Sequence, residues 1–193
     1  MKSLSQEITD ILITNKYITP EKRESYIYCY TYIIENMKYD LITLLVGLLL
    51  HKFKMTLIYI LLFNIFRSFC GGYHAKTPIM CNIMSYLTSI LFFGTSMILN
   101  IISPSYLIIL FVVSSLAIIY FSPLDCTTKK YNTPQRKLCK KLVISTCSMT
   151  TIAFIFSMSR NKIHYCYALT FCVMVISISL ITQKIVSQKR NLQ

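Results

Sequence analysis

Arg67-Ser68-Phe69-Cys70-Gly71-Gly72-Tyr73-His74-Ala75-Lys76-Thr77-Pro78-Ile79-Met80-Cys81 interrupts a chain that is strongly apolar on both sides of it. Met55–Phe66 precedes this stretch and Ile83–Ile102 follows it. The chain holds four glycines and three histidines, and two adjacent glycines and one histidine fall here. Glycine tolerates positive φ and the close approach of a partner, so Gly71-Gly72 is expected to bend the chain. Thr77-Pro78 resembles a helix start, with a hydroxyl cap and proline at the first helical position. The pattern is apolar helix, break, apolar helix.

The break concentrates chemistry. His74 and Cys81 are seven residues apart, roughly 10 Å along the axis of an unbroken helix at 1.5 Å per residue. A His–Cys hydrogen bond needs about 3 Å, so only a fold-back at Lys76-Thr77-Pro78 would bring His74 over Cys81. Cys81 would lie just past the first helical turn, where the helix dipole lowers a thiol pKa modestly. His74 would then supply most of the activation by taking the thiol proton. A packed histidine beside a buried, inert cysteine is the competing reading of the same spacing.

Working outward, the apolar segments are Leu41–Leu50, Met55–Phe66, Ile83–Ile102, Tyr106–Phe121, Leu142–Met158 and Ile163–Thr182. The first two fall short of the ~20 residues a straight span needs. The chain has 193 residues, is 54% hydrophobic and carries a formal charge of +13. Few soluble domains are so apolar and so basic together. The expected class is all-α: a polytopic integral membrane protein with about six transmembrane or membrane-embedded helices plus N-terminal amphipathic helices. We read one membrane-embedded domain over 1–193, with N-terminal helices in 1–40, a transmembrane core in 41–182 and a tail in 183–193. The polar lead before the first apolar run is too long for a secretory signal.

Lysine and arginine placement orients the chain. Asp125–Lys141 contains Lys129, Lys130, Arg136, Lys137, Lys140 and Lys141, and is expected on the cytoplasmic side. Uncharged Ser103-Pro104-Ser105 is expected outside. Alternation then places the Arg67–Cys81 motif and both termini in the cytoplasm of a multi-pass cell-membrane protein. Arg160 and Lys162 fall outside, against the trend. Anionic lipid is the expected partner of the basic run, and interfacial anchoring or an acidic ligand are the two readings of Arg67 and Lys76. Nucleic acid is not expected, because the basic residues sit at membrane edges.

In the N-terminal part, Leu4, Ile8, Ile11 and Leu12 recur at helical spacing. Thr19-Pro20-Glu21 looks like a second helix start, and the aromatic run Tyr26–Tyr32 suits a membrane interface. Eight cysteines show no compact disulfide spacing. Cys29, Cys147, Cys166 and Cys172 read as buried small hydrophobes. Cys70, Cys126 and Cys139 are expected to be reduced if they face the cytoplasm.

Acidic residues narrow the chemistry. After Asp40 the only carboxylate is Asp125. A paired-aspartate protease needs two, a His-Glu-x-x-His zinc protease needs a glutamate base, and proton-coupled transport usually relies on intramembrane carboxylates. Cys70, His74 and Cys81 lack an evident fourth zinc ligand nearby, so no metal is expected. A thiol nucleophile with a histidine base survives. Backbone N–H groups around Gly71 and Gly72 are candidate oxyanion donors. Asp125 reads first as a solvated loop acid or a partner for nearby lysines, and only second as a candidate for orienting His74.

Arg-x-x-x-Gly-Gly-Tyr-His-Ala-Lys-Thr-Pro-x-x-Cys resembles the signature of the accessory gene regulator protein B family (AgrB), membrane cysteine endopeptidases of quorum-sensing peptide processing. His74 and Cys81 match its catalytic pair, separation included, and the likeness extends to chain length and segment layout. The resemblance implies a precursor peptide of the AgrD kind, with an amphipathic leader, a cysteine-containing ring segment and an acidic tail. It implies tail cleavage through a thioester, thiolactone closure, a homodimer and no cofactor. The alternative is a non-enzymatic membrane binding or export component for a small peptide.

Overall fold

Proline placement sets half of the helix starts. Pro20, Pro78 and Pro104 each open a helical element and Pro134 sits second in another, positions where the missing N–H costs nothing and the fixed φ is already helical. The computed structural model describes residues 3–71, 78–98, 103–124 and 132–191. Its helices are α1 (Leu4–Thr14), α2 (Arg23–Leu49), α3 (Phe53–Cys70), α4 (Pro78–Met97), α5 (Pro104–Phe121), α6 (Thr133–Ser159) and α7 (Ile163–Asn191). A 3₁₀ turn, Pro20–Lys22, leads into α2. Among the described residues there is no strand. The all-α class is as expected.

Among the described residues, each of the six apolar segments falls on its own long helix, α2 to α7. Four of these are long and apolar enough to cross a bilayer among the described residues: α3, α5, α6 and α7. The expectation was about six transmembrane or membrane-embedded helices. The other two, α2 and α4, turn polar groups toward one another. Asn82 donates to Glu35 at 3.2 Å, and Tyr39 shares a hydrogen bond with Ser89 at 2.6 Å. Thr43 reaches the same serine at 3.3 Å. The ten apolar residues at the end of α2 span about 15 Å, half the hydrocarbon thickness.

The α2–α3 and α6–α7 connections share one design. Each ends in a non-glycine residue with positive φ, His51 at 55° and Asn161 at 53°. In each, the next N–H reaches back five residues, Lys52 to Gly47 at 2.8 Å and Lys162 to Ser157 at 2.9 Å. These are Schellman caps. At Gly47 a Cβ would lie 2.3 Å from Thr56 Oγ1, so glycine lets α2 and α3 approach closely.

The core is aromatic and centred on α3, α4 and α7. Tyr59 stacks on Phe92 at 4.5 Å, Phe92 on Tyr167 at 5.6 Å, and Phe171 meets Phe92 edge-on at 5.3 Å. Such pairs add about 0.5–1.5 kcal/mol each beyond burial. Tyr167 donates its hydroxyl to the Phe92 carbonyl at 2.9 Å, which satisfies the buried polar tip. Phe111 and Phe154 stack at 4.3 Å and join α5 to α6. Outward faces carry exposed Ile109, Val113, Leu116, Ile152 and Ile155, an arrangement suited to lipid rather than water.

One N-terminal expectation changes, that for Cys29. In α1 the packed edge is Ser5 and Thr9, while Leu4 and Ile11 are exposed. Small hydroxyl residues allow close contact with α2, where Thr31 donates to Ser5 at 2.8 Å and Arg23 pairs with Asp10 at 2.9 Å. Cys29, expected to be buried, is exposed; it sits on the outward side of α2 with exposed Tyr26, Tyr28 and Tyr32. Cys70, Cys147, Cys166 and Cys172 are buried free thiols. Cys126 lies outside the described residues.

Candidate active site

Alternation of the helices brings the end of α3, the start of α4, the end of α5, the start of α6 and the end of α7 to one end of the bundle. The motif occupies the junction of the first two. α3 closes at Cys70, which is fully buried, and Gly71 follows at φ 74°, ψ −150°. That conformation is essentially reserved for glycine, so the expected bend is present there. The Leu124 N–H donates to the Cys70 carbonyl at 3.2 Å. This bond ties the exit of α3 to the segment leaving α5.

Arg67 lies one turn before the end of α3, its guanidinium 5.6 Å over the Phe63 ring. Pro78 opens α4 as expected, and Cys81 is the fourth residue of that helix. Gly72, His74, Lys76 and Asp125 lie outside the described residues, as does the side chain of Cys81. Next to it, Asn82 donates to Glu35 at 3.2 Å, and Lys38 holds the same carboxylate at 2.9 Å. The first turn of α4 is therefore anchored on α2.

A family model described as accessory gene regulator B matches residues 5–180. The chain belongs to that family. Comparisons with curated proteins and with solved structures found no match. Membership places this AgrB-family chain in the membrane and in the processing of quorum-sensing peptides, with a precursor peptide as its partner. The family is one of cysteine-protease-like peptidases.

Within this AgrB-family fold, sequence reasoning missed Glu35, Asn82 and the capping role of Lys140. Lys140 on α6 donates to the carbonyls of Ser122, at 2.8 Å, and Ile119. It caps the C-terminus of α5, where a cation meets the negative end of the helix dipole. Asn82 was legible only as the polar neighbour of Cys81. No spacing rule pairs it with Glu35, forty-seven residues away.

Proposed function

We propose that this AgrB-family protein is a cysteine endopeptidase in which His74 deprotonates Cys81 for attack on a carbonyl of an AgrD-like precursor. The Cys81 sulfur bonds to the carbonyl carbon, and the tetrahedral intermediate collapses as the peptide C–N bond breaks. Protonated His74 gives its proton to the leaving amine. The acidic tail departs and the rest of the peptide stays as a thioester. The precursor's own cysteine thiol then attacks that thioester, returns the Cys81 thiol and closes a thiolactone. One thioester replaces another, so bond energy is roughly conserved and no nucleotide or cofactor is needed.

Backbone N–H groups near Gly71 and Gly72 are the candidate oxyanion donors, and Arg67 and Lys76 the candidate anchors for the acidic tail. Asp125 is a candidate for orienting His74; the Leu124–Cys70 hydrogen bond, one residue before it, supports that reading. The protein acts as a homodimer in a bilayer containing anionic lipid, as one domain over 1–193, with both termini and the motif on the cytoplasmic side. The observation that carries the proposal is the His74–Cys81 signature at the α3–α4 junction of a chain matched to the family over 5–180.

Co-expression with the precursor tests it. Cys81→Ser and His74→Ala should each abolish tail removal, and wild-type protein should form a hydroxylamine-sensitive adduct with the precursor. Tail removal that continues unchanged in both variants sinks the proposal and leaves a binding or export role.

A further inference from the structure

At the motif end of the bundle, between α5, α6 and α7, lies a cavity of about 630 Å³. Arg136, Lys137, Lys140 and Lys184 line it, and no carboxylate does among the described residues. Two of these cations are held in place. Lys140 is bonded to the Ser122 carbonyl at 2.8 Å, and the Lys184 ammonium lies 4.5 Å from the Phe121 ring centroid. Ser122 lines the same cavity.

A second groove of about 630 Å³ shares Tyr120, Phe121 and Lys140 with this cup. It continues along α5 past Leu116, Ala117 and Ile119. Leu116 and Tyr120 are exposed there, on the most apolar of the four spanning helices. A cationic cup opening into an apolar trough at a helix end has the layout of one phospholipid: phosphate above, acyl chain below.

We propose that the α5–α6–α7 cup and groove bind one anionic phospholipid. Its phosphate sits between Lys137 and Lys184, and an acyl chain lies along Leu116 and Ile119. A basic pocket between membrane helices suits an anionic headgroup, and a flanking aromatic such as Tyr120 suits the headgroup level. A soluble anion would use the cup but leave the groove empty. The site stands independently of the peptidase reading.

Native mass spectrometry of the full chain in neutral detergent tests it, with titrated phosphatidylglycerol and phosphatidylcholine of equal chain length. One phosphatidylglycerol should bind at least about tenfold more tightly than phosphatidylcholine. Lys137→Gln/Lys184→Gln should erase that preference. Lys54→Gln/Lys162→Gln, at the opposite, also basic, end cavity, should leave it intact. Leu116→Trp, which fills the groove without touching a charge, should weaken the lipid while circular dichroism stays unchanged. Equal binding of the two lipids overturns the proposal. So does full competition by millimolar inorganic phosphate or by an acidic peptide, or equal loss in both charge variants.

Discussion

Asn82 Nδ2 donates to Glu35 Oε2 at 3.2 Å, so the residue following the candidate nucleophile is fastened to a carboxylate on α2. Lys38 fastens that carboxylate in turn at 2.9 Å. A misplaced first turn of α4 would shift Cys81, and small displacements at a reacting centre carry large rate penalties. Glu35→Ala is expected to slow precursor cleavage by about three- to tenfold, the worth of one hydrogen bond. Glu35→Gln keeps an acceptor for Asn82 and should stay near wild type. Equal rates for both variants in a reconstituted cleavage assay would remove this pair from the mechanism.

Gly47 and Gly94 should respond oppositely to alanine. A Cβ at Gly47 would collide with Thr56 Oγ1 at 2.3 Å and Thr56 Cβ at 2.7 Å, while Gly94 has nothing within 4 Å. Gly47→Ala is expected to cost about 1–3 kcal/mol by forcing α2 and α3 apart. Gly94→Ala should gain up to about 1 kcal/mol from helix propensity. Thermal unfolding in detergent separates the two cases, and a stabilising Gly47→Ala would contradict the packing described.

The hairpin caps offer a cleaner backbone test. His51 and Asn161 hold φ of 55° and 53° without being glycine. Asparagine tolerates this region better than histidine does. His51→Gly should therefore stabilise the fold by up to about 1 kcal/mol, and Asn161→Gly by less. His51→Val, β-branched, should destabilise it. A drop in melting temperature for His51→Gly would show that its imidazole contributes more than its backbone strain costs.

Asp40 predicts a pH-dependent stability. Burial on α2 raises its carboxyl pKa above the ordinary value of 3.8, and the hydrogen bond from Asn64 opposes that rise. The bond is 2.8 Å long. Because the folded-state pKa is the higher one, the protonated form favours folding. Its contribution is full below 3.8 and is lost as pH rises through the raised value. Asp40→Asn removes the charge and keeps an acceptor for Asn64. Its melting-temperature advantage should be absent in acid and grow toward neutral pH. A difference that does not vary with pH would exclude Asp40 as its source.

Much of the bundle is legible locally. Pro20, Pro78 and Pro104 announce helix starts because proline's fixed φ and missing N–H act within one turn. Gly71 announces the bend for the same kind of reason, since the conformation it adopts is closed to other residues. The polar pairing of the helices was not legible, because Glu35, Asp40 and Asn82 read as isolated polar residues until partners from other helices are known. Cys29 misleads for a related reason: an apolar residue on a helix does not show whether protein or lipid covers it.

By itself, then, the amino-acid order determined the all-helical membrane class, the six apolar segments and the motif that carries His74 and Cys81. All three follow from composition, periodicity and the chemistry of adjacent residues. The tertiary structure alone decided that Asn82 meets Glu35, that Asp40 meets Asn64, and that Lys140 caps α5. Such contacts depend on how far each helix is rotated about its own axis and which neighbour it faces. Side-chain packing sets that rotation across separations of 18 to 47 residues, beyond the reach of any local pattern.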